Sequence, residues 1–186
     1  MAILSKAIIK GATLFFVKLD PKRPALNYNE DGYEWQLQVR TTDKKAAKRW
    51  KEEFHLNMKF DQEDTKTGDT YHGARLSRRA YTIEGGKDTM FEPPGCMKVE
   101  GQLAIPLDAN TIGNNSVADV MIQLRSYKFK KKEGVTADLL GILVRDLKEY
   151  TQVADPDWDL EGGDTVVTDA AVAPEVDSDP HDESAY

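Results

Sequence analysis

The chain has one cysteine, Cys96, in 186 residues. A lone thiol excludes an intramolecular disulfide and any Cys/His zinc spacing, and it fits a reducing compartment. The three histidines, His55, His72 and His181, are scattered, so no metal-ligating spacing is read from them. No apolar run approaches the roughly 18–20 residues that span a bilayer, and the N-terminal stretch MAILSKAIIKGATLFFVKLD lacks a signal-peptide layout. The expectation is a soluble, intracellular protein without membrane contact. A Gly-rich phosphate loop is missing too. EGGKD lacks the flanking strand, the spacing and the Ser/Thr of a P-loop. DQEDTKTGD lacks the spacing and terminal Glu of an EF-hand. Cofactors, metals and catalytic residues are therefore expected to be none, and the protein is not expected to be an enzyme.

Positive charge is absent from the last 36 residues. All 25 Lys and Arg fall in residues 1–150 with 21 acids, a net +4, while residues 151–186 carry 11 acids and no Lys or Arg. This divides the chain into a moderately basic domain, 1–150, and an acidic C-terminal tail, 151–186. The domain is large enough for its own core. The tail lacks the apolar density to offset ordering entropy and is expected to be disordered. A flexible segment of that length reaches about 30–36 Å, against a domain radius of gyration of about 15 Å, so it would reach any part of the surface.

What is present in residues 1–150 is mostly strand. AIIKGATLFFVKL is β-branched and aromatic, and PKRPALN breaks it. YEWQLQVRT alternates, with Tyr33, Trp35, Leu37 and Val39 on one face and Glu34, Gln36, Gln38 and Arg40 on the other. TDKKAAKRWKEEFHL reads as the one helix, capped by Thr42 or Asp43, with Ala46, Ala47, Trp50 and Phe54 as its apolar stripe. DQEDTKTGD reads as a polar hairpin tip, TYHGARLSRRAYTI as a strand, and EPPGCMKVEGQLAIPLD as a further strand bounded by prolines. ANTIGNNS is a turn cluster, VADVMIQLRSYKFK a long strand, KKEG a turn, and DLLGILVRDLKEY a final, largely buried strand. The fold class is mainly β, an OB-fold-like barrel with one inserted α-helix.

Two strand faces carry candidate chemistry. In VADVMIQLRSYKFKKKEG, Val120, Ile122 and Leu124 point to the core, while Gln123, Arg125, Tyr127 and Phe129 point outward, followed by Lys128, Lys130 and Lys131. In YHGARLSRRAY, Tyr71, Arg75, Arg79 and Tyr81 share one parity. Aromatic planes stack on bases at roughly 1–3 kcal/mol each while cations track phosphates, which suits sequence-tolerant binding of single strands. The same rings and cations also occur as ordinary surface decoration. Trp35 and Trp50 are expected in the core. The nominated DNA-binding residues are Arg75, Arg79, Tyr81, Arg125, Tyr127, Lys128, Phe129, Lys130 and Lys131.

The segments EWQLQVRTTDKKAAKRWKE, ARLSRRAYTIEGGKD, EPPGCMKV and PLDANTIGNNSVADVMIQLRSYKFKKKEGVTADLLGILVRDLKEY, with an acidic tail ending in an aromatic residue, resemble the single-stranded DNA-binding proteins of tailed bacteriophages. The resemblance spans nearly all of residues 1–150. It is most specific where the Gly113-Asn114-Asn115 turn feeds the aromatic strand. It implies an OB barrel with an inserted helix and non-specific binding that coats and protects single-stranded DNA in phage replication, recombination and repair. It also implies tail contacts to a phage DNA polymerase and helicase–primase, a homodimer as an admissible assembly, and the cytoplasm of an infected bacterial host as the location. Asp179, Asp182, Glu183 and Tyr186 are the tail residues nominated for partner docking. Here the acids are interrupted by VVTDAAVAP, and Tyr rather than Phe ends the chain. An RNA-binding or chaperone barrel, and a small metal-dependent nuclease, are the competing readings.

Overall fold

The structure is a computed structural model and describes residues 2–84, 91–129 and 132–150. The strands are β1 (Ala2–Lys18), β2 (Ala25–Leu26), β3 (Gly32–Thr41), β4 (Lys59–Glu63), β5 (Thr70–Thr82), β6 (Gly95–Glu100), β7 (Leu103–Pro106), β8 (Ser116–Phe129) and β9 (Lys132–Asp146). One α-helix, α1 (Lys44–Glu53), lies between β3 and β4. A 3-10 turn, Ala109–Thr111, precedes β8.

Alternation decides which side of each strand is buried. Trp35, Leu37 and Val39 of β3, Ala74, Leu76 and Ala80 of β5, and Val120, Ile122 and Leu124 of β8 all enter the core, as their periodicity predicts. Ile9, Ala12 and Leu14 of β1 and Leu139, Ile142 and Val144 of β9 complete it. The strand order β4-β5-β3-β1-β8-β9-β6-β7 is closed by an additional β5–β9 pairing. That pairing is parallel, at Ser77↔Asp138, and makes β1, β3, β5, β9 and β8 a five-stranded barrel of the OB type.

Bulges bend β1 round the barrel. Ile9 pairs with Val120 and Ala12 with Ala118, so Lys10 and Gly11 together oppose Asp119 and β1 carries one extra residue there. Gly11 has φ +63° and its amide donates to Asp119 Oδ1 at 3.0 Å. The bend frees the C-terminal half of β1 to pair with β3 through Thr13↔Arg40 and Phe15↔Gln38. Asp43 caps α1, its side chain accepting from the Lys45 amide, and Ala47 and Trp50 are buried. Trp35 is fully buried and its Nε1–H donates to the Asp20 carbonyl at 2.9 Å, so its one polar atom is satisfied.

Three local expectations change. Lys59–Glu63, the approach to the DQEDTKTGD tip, is a strand paired with β5, because Phe60 and Gln62 sit half-buried while Lys59, Asp61 and Glu63 face water. EPPGCMKVEGQLAIPLD forms two strands rather than one, a hairpin turning at Gly101 with φ +61°. KKEG is not a turn throughout, since β9 begins at Lys132 and Gly134 already pairs with Tyr127. EGGKD lies largely outside the described residues, and the tail 151–186 lies wholly outside them.

Candidate nucleic-acid interface

The outer face of β5 presents Arg75, Ser77 and Arg79 because His72, Ala74 and Leu76 are committed inward. Beside it, the outer face of β8 presents Arg125 and Tyr127, since Leu124 is core and the side chains alternate. The β5–β9 closure brings these two faces together. Asp138, opposite Ser77 on β9, forms an ion pair with Arg125 and also feels the charges of Arg78 and Arg79. Burial pushes the Asp138 carboxyl above its ordinary value, and the three guanidinium groups only partly offset this. Arg125 Nε is buried and has no hydrogen-bond partner among the described residues.

Tyr127 is 37% exposed and lies across from Gly134. A Cβ added at Gly134 would meet the Tyr127 hydroxyl oxygen at 2.7 Å, so glycine is what lets the ring lie over the neighbouring strand. Lys128 is ion-paired with Glu133, and Arg75 with Glu34. Arg79 is exposed and has no hydrogen bond or ion pair among the described residues. Tyr81 is placed differently from Arg79. A bulge inserts Ala80, so Glu34 pairs with Arg79 but Tyr33 with Tyr81, and the Tyr81 ring stacks on Tyr33 at 4.8 Å. Phe129 closes β8, pairing with Lys132, and its side chain lies outside the described residues, as do Lys130, Lys131, Asp179, Asp182, Glu183 and Tyr186.

A second constellation, not nominated from the sequence, lies where the end of β3 meets the start of β5. Arg40 is held between the Phe15 and Tyr71 rings, its guanidinium carbon 3.7 Å and 3.8 Å from their centroids. Its Nη1 donates to Asp64 Oδ2 at 2.7 Å and its Nε to Gln38 Oε1 at 2.8 Å. The group lines a cleft of about 580 Å³ between the tip that follows β4 and the Asn114-Asn115 turn. Arg40 on the polar face of β3, and the Phe15-Phe16 pair that no regular strand can bury on one face, were the signals in the sequence. Among the described residues no group of three or more His, Cys, Asp or Glu side chains converges as metal ligands, and no helix is long and apolar enough to cross a membrane.

No family model matches the chain, and no curated protein matches it in sequence. Its fold does match solved structures. The single-stranded DNA-binding protein from bacteriophage Enc34 aligns over 84% of this chain and 89% of its own length, with a TM-score of 0.51 at 11% identity. The Enc34 protein in complex with single-stranded DNA aligns over 77% of this chain and 88% of its own, with a TM-score of 0.51 at 13% identity. The gp2.5 single-stranded DNA-binding protein of bacteriophage T7 aligns over 93% and 100%, at a TM-score of 0.41 and 17% identity. At 11–13% identity the likeness to the Enc34 protein is one of fold alone.

Proposed function

We propose that this protein binds single-stranded DNA without base preference, as a coating protein and not as an enzyme. The observation that carries the reading is the β5–β9 closure, which gathers Arg79 and Arg125 around Asp138, with the exposed ring of Tyr127 two residues beyond Arg125 on β8. A phosphate oxygen can replace Asp138 as the partner of these guanidinium groups, and the ring supplies the sequence-tolerant stacking surface. Lys128 on β8 and Arg75 on β5 add to this face, and Phe129, Lys130 and Lys131 are included in the proposal on their sequence alone. The fold shared with the Enc34 protein in its single-stranded DNA complex supports the assignment.

The acidic tail has two parts to play in this reading. Its 11 carboxylates compete with phosphates for the basic surface when DNA is absent, and DNA displaces them. Asp179, Asp182, Glu183 and Tyr186 then dock on a replication enzyme, a DNA polymerase or helicase–primase, during replication and recombination in the cytoplasm of an infected bacterial host. Titration of fluorescent oligo-dT, the matched RNA oligomer and duplex DNA at two salt concentrations tests the binding. The expected result is preference for the DNA single strand, with a log–log salt slope of about −0.7 per phosphate contacted. Equal affinity for duplex, or tighter binding of the RNA, would overturn it.

A further inference from the structure

The Arg40 cleft lies apart from the Arg79–Arg125 group. Tyr71 and Arg79 are eight residues apart along β5, about 26 Å of strand. The cleft volume of about 580 Å³ falls inside the roughly 300–1,000 Å³ of ligand sites. Its floor is rigid. Arg40 has a side chain only 9% exposed, both its faces covered by rings, and its Nη2 has no acceptor among the described residues. Its wall is rigid too. The Asn115 amide donates to the Leu14 carbonyl at 3.0 Å, and Asn114 Oδ1 accepts from the Phe16 amide at 2.9 Å. Phe16 is thereby held at φ +51°, a conformation that a bulky residue rarely adopts, with its ring 59% exposed.

The charge of the cleft selects what can enter. Asp64 and Asp69 line it together with Arg40 and Lys66, so its formal charges balance and it offers an anionic phosphate no net attraction. A neutral base needs none. The Phe15 and Tyr71 rings offer apolar contact, and threonine hydroxyls and asparagine amides both donate and accept, so any of the four bases finds partners. We propose that the cleft is a nucleobase subsite, which takes one unstacked base of the bound strand at the end of β5 away from Arg79. The inference rests on the single-strand-binding reading and adds to it a second anchoring point and therefore a fixed strand polarity.

The test uses the full chain and dT oligomers of about 4 to about 16 nucleotides, with 2-aminopurine placed in turn near each end. Two variants report on the cleft. Tyr71→Leu removes one wall, and Thr42→Trp, at an exposed lining residue that no hydrogen bond holds, fills the mouth. The expected result is a 2-aminopurine signal confined to one end of the wild-type complex and lost in both variants. Affinity for the longer oligomers should fall about 5- to 150-fold while that for the shortest is unchanged. Unchanged length dependence in both variants, with normal melting temperatures, would overturn the subsite alone. Failure of the wild-type protein to bind any oligomer would overturn the subsite together with the reading it rests on.

Discussion

At the scale of single residues, the nominated cations differ from one another in what they already hold. Arg125, Arg75 and Lys128 each have a carboxylate partner on a neighbouring strand, whereas Arg79 has none among the described residues. Binding DNA through Arg125 therefore means exchanging Asp138 for a phosphate. Asp138→Asn should tighten oligo-dT binding at pH 7 and steepen the salt slope, and unchanged affinity would show that Arg125 does not reach the strand. The pH dependence follows in sign. The Asp138 carboxyl is raised above 3.8 by burial, so it takes up a proton before an ordinary aspartate does, and wild-type affinity should rise as pH falls through that window. In the Asn variant this rise should vanish. Stability runs the other way for Asp64, whose carboxyl is lowered by the Lys66 amide and then by Arg40. Its contribution is complete above 3.8 and is lost as pH falls through its depressed value. Trp35 tests the division between face and core. Trp35→Ala should cost about 3–5 kcal/mol in a denaturant melt, whereas Tyr127→Ala should leave the melt nearly unchanged and weaken oligo-dT binding. A reversed pair of outcomes would mean that the faces of β3 and β8 are assigned backwards.

At the scale of elements, β1 decides whether the barrel can close. It pairs with β8 on one edge from Ala2 to Leu14 and with β3 on the other from Thr13 to Lys18, so its bend carries the sheet from one neighbour round to the other. The bend is set at Lys10-Gly11, where Gly11 has φ +63° and its amide bonds Asp119, itself ion-paired with Arg145 at 2.7 Å. No atom lies within 4 Å of a Cβ at Gly11, so a side chain there meets only the backbone penalty. Gly11→Ala should therefore lower stability by about 1–2 kcal/mol by thermal melting, with the fold retained. A melt equal to wild type would show that the left-handed turn is not what holds the bend.

At the scale of the whole molecule, charge is segregated. Residues 1–150 carry a net +4 and residues 151–186 carry 11 acids without a cation. Of the nominated cations among the described residues, Arg75, Arg125 and Lys128 are already paired with Glu34, Asp138 and Glu133, which leaves Arg79 the one without a carboxylate partner to offer a competing tail. Removing residues 151–186 should tighten oligo-dT binding, most at low salt, where screening is weakest. Removing Tyr186 alone should leave that affinity unaltered and weaken capture of the replication enzyme. Equal affinity of full-length and truncated protein at low ionic strength would end the competition reading.

The sequence by itself determined what depends on near neighbours. Two-residue alternation assigned Trp35, Leu37, Val39, Val120, Ile122 and Leu124 to the core, and the three- and four-residue spacing of Ala47 and Trp50 with the Asp43 cap placed α1. Composition alone separated the basic domain from the acidic tail. Tertiary structure decided what depends on pairing between distant segments. Bulges cannot be read from alternation, because one extra residue leaves the local pattern nearly intact while shifting everything beyond it; this is how Tyr81 came to lie on Tyr33 and not in line with Arg79. Nor does local pattern say which carboxylate faces which guanidinium. Arg40 meets Asp64, and Arg125 meets Asp138, only because the register of the closed barrel carries those strands past one another. Side-chain types are written locally, but a site's charge balance is set by cross-strand neighbours, and those exist only once the barrel has closed.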